Sequence, residues 1–274
     1  MPAPTITLND GNVMPQLGLG VWQSPADITA EVVRTALAAG YRSIDTAAIY
    51  RNEAAVGEGV RASGLARDEI FVTTKLWNDE QGYDSALRGF ESSLKRLGLD
   101  YVDLYLIHWP APGQGRYLDT WRALLRLREE GRARSVGVSN FMPEHLRRIV
   151  GETGEAPALN QVELHPRFQQ TDLRSVHASL GIATEAWSPL GQGRLLEDPV
   201  VRQAAEKHGR TAAQVIIRWH LDNGLIVIPK SVNETRIRAN FDVFDFQLDE
   251  EDLRAFAALD SPVGRIGPDP VSFG

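Results

Sequence analysis

Apolar residues along the chain form short runs that alternate with segments of helical spacing. Ile6–Leu8 and Val13–Leu17 flank Asn9-Asp10-Gly11-Asn12, and Asp-Gly between apolar runs predicts a β-hairpin. Strands are then predicted over Leu17–Val21, Ser43–Asp45, Ile70–Lys75, Val102–Ile107, Arg134–Val138, Ala158–Val162, Ile182–Trp187 and Leu225–Ile228. Helical spacing runs from Asp27 to the stop at Gly40, and again near Glu53–Ser63. Leu87, Phe90, Leu94 and Leu97 share one helical face, closed by Gly98. Further helices are predicted over Trp121–Glu130, Pro143–Val150, Thr171–Leu180, Pro199–Lys207, Thr211–Leu221, Asn233–Ala239 and Asp249–Leu259, before a Pro/Gly-rich tail.

Strands alternating with helices imply a parallel sheet. The chain holds about eight such units, and no linker-like shift of composition interrupts them. The expected fold is therefore α/β, a single (β/α)8 TIM barrel over residues 1–274 with an N-terminal β-hairpin. A doubly wound open sheet is the competing fold, and it would carry a Gly-x-Gly-x-x-Gly turn that opens a helix. Gly18-Leu19-Gly20 is followed by Val21-Trp22-Gln23 and opens none.

Composition narrows the function without naming it. The 274 residues are 43% hydrophobic and 24% charged, which is ordinary for a globular protein. A net charge of −7 argues against nucleic acid as a partner, so an anionic ligand needs a local cationic patch. The absence of cysteine excludes disulfides, thiolate catalysis and Cys-ligated zinc. Met1-Pro2-Ala3-Pro4-Thr5 shows no signal-peptide pattern, and no apolar run approaches a membrane span. A cytoplasmic monomer is expected. The six histidines lack metal-ligand spacing, so no metal is expected; Glu163 and His165, beside Pro166, read as structural.

In a parallel barrel the C-terminal strand ends converge on one face, where the chemistry belongs. Those ends here read Asp45, Lys75, His108, Ser139-Asn140, Gln161, Trp187-Ser188 and Lys230-Ser231. Polar residues often end strands, so each alone says little. Lys75 ends an apolar strand, where an unpaired ammonium is costly to bury, and Asp45 is its natural partner. Tyr50 follows Asp45 closely. A phenol beside an ammonium gives up its proton more readily, and a neutral His108 would orient a carbonyl oxygen. Such a set donates a proton to a carbonyl but lacks electrons, so a hydride cofactor is implied.

A second set suits that cofactor. Ser139, Asn140 and Gln161 offer hydrogen bonds to a planar carboxamide. Trp187 either stacks on a flat ring or is a core aromatic. The loop Ser188-Pro189-Leu190-Gly191-Gln192-Gly193 lets backbone approach a pyrophosphate, or merely connects. Lys230-Ser231-Val232 leads into a helix with Arg236 one turn in, which is an anion site or a solvated basic face.

These motifs resemble the aldo-keto reductase superfamily over nearly the whole chain. The resemblance rests on Asp45-Thr46-Ala47-Ala48-Ile49-Tyr50-Arg51-Asn52-Glu53, Thr74-Lys75-Leu76-Trp77, Leu106-Ile107-His108-Trp109-Pro110, Ser135-Val136-Gly137-Val138-Ser139-Asn140-Phe141 and Ile228-Pro229-Lys230-Ser231. Bacterial diketo-gluconate reductase-like members are most similar, with Trp187 where many relatives have Tyr. The resemblance implies an NADPH-dependent reductase of aldehydes and ketones with a tetrad of Asp45, Tyr50, Lys75 and His108. It also implies Ser139, Asn140 and Gln161 on the carboxamide, Trp187 on the nicotinamide, and Ser188, Leu190 and Gly191 along the pyrophosphate. Lys230, Ser231, Val232, Arg236 and Asn240 would bind the adenosine end, and Ala239 departs from the polar residue common there. Trp22, Trp77 and Trp109, with His108, are expected to line an apolar substrate pocket. Dicarbonyls, diketo-sugar acids and aromatic aldehydes are all admissible substrates. The different-class alternative is a non-catalytic NADP-binding barrel acting through a protein partner.

Overall fold

In the computed structural model, which describes residues 3–274, strands and helices alternate as the apolar pattern predicts. The hairpin is β1 (Thr5–Thr7) and β2 (Val13–Pro15), antiparallel, with Ile6 opposite Met14. The units that follow are β3 (Leu19–Gly20), α1 (Ala26–Ala39), β4 (Ser43–Asp45), α2 (Glu53–Arg61), β5 (Phe71–Leu76), α3 (Tyr83–Leu97), β6 (Val102–Ile107) and α4 (Tyr117–Glu129). Then come β7 (Ala133–Ser139), α5 (Pro143–Thr153), β8 (Leu159–Glu163), α6 (Thr171–Leu180), β9 (Ala183–Trp187), α7 (Pro199–His208), α8 (Ala212–Asp222), β10 (Ile226–Val227), α9 (Glu234–Phe241) and α10 (Glu250–Ala257). Among the described residues, no helix is long and apolar enough to cross a membrane.

The strands β3 to β10 form one eight-stranded sheet in sequential order, parallel at every pairing. Its edges meet through parallel bridges from Leu17 to Val227 and from Gly20 to Lys230. The Gly18 N–H donates to Val227 O at 2.9 Å, so the sheet curls as a (β/α)8 barrel requires. The predicted first and last strands are shorter than expected, because at this seam the backbones touch at single bridges rather than along a full ladder. The seam also explains Gly18-Leu19-Gly20. A Cβ at Gly18 would lie 2.9 Å from Ser43 Oγ, and one at Gly20 would lie 3.0 Å from Ile228 O.

Alternate strand residues point to opposite faces. On β6, Tyr105 and Ile107 pack outward against the helices, while Leu104 and Leu106 join an inner cluster with Phe71, Leu159 and Ile226. Leu8 and Met14 of the hairpin belong to that inner cluster, so the hairpin plugs the N-terminal end of the barrel. Asn12 fastens it by donating to Arg134 O and Ser135 Oγ. Access is left at the opposite end. One boundary moved materially: α4 starts at Tyr117, not Trp121, because Tyr117 and Leu118 are themselves buried, Tyr117 against Phe141 and His145.

Candidate active site

The inward rows of the strands run straight into the chemistry. On β6 the row Leu104, Leu106 continues to His108; on β5 it ends at Lys75, on β4 at Asp45 and on β7 at Ser139, while on β8 it passes through Gln161. These side chains are all buried at the open end of the barrel. Turns at this end use left-handed backbone at Arg51 (φ 58°), Asn140 (φ 64°) and Ser188 (φ 49°), a conformation costly for non-glycine residues and common where side chains are aimed at a ligand.

Lys75 Nζ donates to Asp45 Oδ1 at 2.6 Å and to Thr46 O at 2.8 Å. The same ammonium lies 5.1 Å from the centre of the Tyr50 ring, which a short 3-10 turn over Ala48–Tyr50 delivers to the mouth. His108 meets Tyr50 edge-on at 5.7 Å between ring centres, and Trp77 at 5.2 Å. Burial works against the charge on Lys75, but Asp45, with Tyr50 and Glu185, outweighs it and keeps the ammonium. Burial and Lys75 together hold His108 well below the usual histidine range, so its imidazole is neutral. Tyr50 departs from the sequence expectation: burial raises its phenol, and Lys75 recovers only part of that rise. The hydroxyl is thus held protonated.

Gln161 joins the pair. Its Nε2 donates to Asp45 Oδ2 at 2.8 Å and to Glu185 Oε2 at 2.7 Å. With both amide hydrogens engaged, Gln161 has only its carbonyl to offer a ligand. Asn140 Nδ2 donates to His108 O and Ser139 Oγ, and the Trp187 Nε1–H donates to Asn140 Oδ1 at 2.8 Å. That last bond fixes the plane of the indole at the wall of the mouth.

Two cavities meet here. One of about 330 Å³ is lined by Tyr50, His108, Trp22, Trp77, Trp109 and Trp187, with Asp45, Ser139, Asn140, Gln161 and Ser188 among the others. The second, of about 420 Å³, is lined by Leu190, Ser231, Val232, Arg236 and Asn240. Lys230 lines both, so they form one groove from the Tyr50 phenol to the N-terminus of α9, which Asn233 caps. Nearly every site residue expected from sequence lines this groove. Lys75 lies beneath it, fully buried. Gly191 lines neither cavity; a Cβ there would meet the Leu195 side chain at 2.9 Å, so packing explains it.

Some cavity residues escaped the sequence reading, and the tail supplies three of them. Gly267, Pro268 and Phe273 come from the irregular C-terminal tail, with Phe273 lying 4.6 Å from Trp109 between ring centres. A Pro/Gly-rich coil carries no periodicity that would aim it at the mouth. Glu185 was also missed, though counting back by two from Trp187 on β9 points to it.

The Aldo/keto reductase family profile matches residues 14–261. An aldo-keto reductase of Mycolicibacterium smegmatis is 59% identical over 271 residues, covering 99% of this chain and 98% of that protein. Methylglyoxal reductase DkgA of Yersinia pestis is 55% identical over 273 residues, covering 99% and 98%. A crystal structure of a Gox0644 variant in complex with NADPH superposes with a TM-score of 0.97 at 54% identity, covering 100% of both chains. The chain belongs to the aldo/keto reductase family. It is an enzyme of that family.

Proposed function

We propose that the chain is a single-domain (β/α)8 barrel that reduces aldehydes and ketones to alcohols with NADPH, Tyr50 supplying the proton. One observation carries this reading: Asp45, Lys75, Tyr50 and His108 gather where a cavity of about 330 Å³ shares Lys230 with a second of about 420 Å³.

The groove fits the cofactor residue by residue. Arg236 and Lys230, at the capped start of α9, suit the 2′-phosphate, with Ser231, Val232 and Asn240 around the adenosine. Ser188 and Leu190 follow the pyrophosphate, and Gly191 packs behind them against Leu195. The Gln161 carbonyl and Asn140 Oδ1 accept from the carboxamide, beside Ser139, and the hydrogen-bonded Trp187 indole gives the nicotinamide a flat face. When bound, NADPH supplies the hydride that reaches the carbonyl carbon.

The chain's own residues do the rest. Neutral His108 and the Tyr50 hydroxyl hold the carbonyl oxygen. As negative charge grows on that oxygen, the Tyr50 proton moves to it, and Lys75 stabilises the phenolate left behind. Asp45 keeps Lys75 charged and in place.

The substrate wall is apolar: Trp22, Ile49, Trp77, Trp109, Pro268 and Phe273. Among the described residues, Lys230 is the one Lys or Arg lining that cavity, and it also lines the cofactor groove. Uncharged dicarbonyls and aromatic aldehydes therefore suit the cavity better than diketo-sugar acids, whose carboxylate would have no counter-charge of its own. A protein-partner role without catalysis would leave the buried ion pair and the neutral histidine without a purpose.

The decisive experiment is Tyr50→Phe. It should bind NADPH as the parent does in a fluorescence titration while turnover of methylglyoxal or benzaldehyde falls by about a hundred- to ten-thousandfold. Parental turnover in this variant would remove Tyr50 from the acid's role.

A further inference from the structure

Glu163, the last residue of β8, stands outside the groove and takes no part in the proton chemistry. It continues the inward row from Gln161 and is 2% exposed. Its carboxylate is fully engaged. Oε1 accepts from the Ile266 N–H at 2.6 Å and lies 3.0 Å from His165 Nε2; Oε2 accepts from the Gly267 N–H at 2.7 Å. Two successive backbone amides more than a hundred residues away thus sit on one carboxylate. Burial alone would raise this carboxyl, but the bonds from His165, Gly267 and Ile266 outweigh it and hold it below the usual range.

What those amides carry is the substrate wall. Gly267 and Pro268 line the cavity, as does Phe273. Phe273 packs against Trp109, and its ring centre is 6.4 Å from that of Trp77. Gly267 lies so close to Trp187 that a Cβ would come within 2.5 Å of the indole. The tail has few other ties. Ser261 N–H donates to Arg167 O, the Arg265 guanidinium lies 4.8 Å over the Phe168 ring, and among the described residues the hydrogen bonds from 262–274 to residues before 258 run only to Glu163. Residues 258–274 form no helix or strand of their own.

We propose that Glu163 is a specificity-determining positioning residue: by clamping Ile266 and Gly267 it seats Pro268 and Phe273 as the wall that selects aromatic over small carbonyl substrates. The proposal rests on the reductase reading. Glu163→Gln is the informative change, because it replaces an anionic double acceptor by one acceptor and one donor. The donor would face an N–H, so at least one amide would be released.

The test pairs amide exchange with kinetics on the full-length chain. In Glu163→Gln, the Ile266 and Gly267 amides should exchange about tenfold faster, as loss of one charge-assisted bond implies. KM for benzaldehyde should rise by a similar, about tenfold factor, while kcat and KM for methylglyoxal stay within about twofold. Phe273→Ala should reproduce the KM shift with exchange at 266 and 267 unchanged, and the double variant should add little to either single one. Unchanged exchange in Glu163→Gln would overturn the clamp. Faster exchange with a parental ratio of benzaldehyde to methylglyoxal efficiency would overturn its role in selection, as would a silent Phe273→Ala. If the parent itself reduces neither aldehyde, the reductase reading fails, and the exchange measurement still decides the clamp.

Discussion

Lys230 and Arg236 are the cations that an acidic protein with a net charge of −7 sets aside at the start of one helix. They face a cavity that also receives Ser231 and Asn240. A 2′-phosphate distinguishes NADPH from NADH, and a charge-assisted bond to it is worth about 1.5–3 kcal/mol. Replacing both residues by Ala should therefore weaken NADPH by at least about a hundredfold and NADH by less than about threefold. Equal losses in paired binding titrations would remove the phosphate from this site. At the same scale, the sequence reading grouped Asp45, Tyr50, Lys75 and His108, which the structure gathers at one mouth, and expected the Lys75 ammonium to favour the Tyr50 phenolate. The structure shows why the net effect is the reverse: burial is a property of everything packed around a side chain, and no local motif displays it.

Elements carry a different kind of information. Helix α2 lies against the end of α3 so closely that a Cβ at Gly57 would come within 1.7 Å of Leu97 O, and one at Gly59 within 2.7 Å of Ala30 O in α1. Arg61 also donates to Leu97 O, so α2 is both pressed and bonded to its neighbour. Gly57→Ala should lower stability by about 1–3 kcal/mol or more through overpacking, despite the better helix propensity of alanine. A urea midpoint at or above the parent's would show that α3 yields at little cost. The helix itself was legible from Glu53 to Ser63, and its stripe of buried Val56 and Val60 follows from spacing. The glycine contacts were not, because they depend on which helix comes alongside. The same holds for α4, whose first turn is set by Tyr117 reaching Phe141 rather than by a capping signal.

Stability against pH belongs to the whole molecule, because burial in the folded barrel sets the groups responsible. Glu185 is enclosed by the barrel, facing Gln161 on β8, Asp45 on β4 and Lys75 on β5. Burial, with Asp45 adding to it, pushes its carboxyl up to about 8, and its Oε1 has no hydrogen-bond partner among the described residues. A folded value above the unfolded one means the native state keeps a proton that the unfolded chain releases. Glu185 thus costs nothing below the ordinary carboxyl range, and stability declines as pH rises from there to about 8. His177 and His220 act at the other side. Burial lowers each to about 4, so both are neutral when folded, and stability is lost as pH falls from the ordinary histidine value through about 4. Glu185→Gln should raise the melting temperature more at pH 8 than at pH 5. A difference independent of pH would show that Glu185 is ionised throughout.

The order of strands and helices, the polar residue at each strand end and the pairing of Lys75 with Asp45 were determined by the sequence alone. Each follows from a two- or 3.6-residue period, or from the cost of an isolated buried charge. Only the tertiary structure decided the rest: the seam where Gly18 and Gly20 meet the last strand, the proton retained on Glu185, and the tail that Glu163 draws over the mouth. These depend on atoms brought together from distant parts of the chain. Neither periodicity nor composition encodes such distances, because they exist only once the sheet has curled.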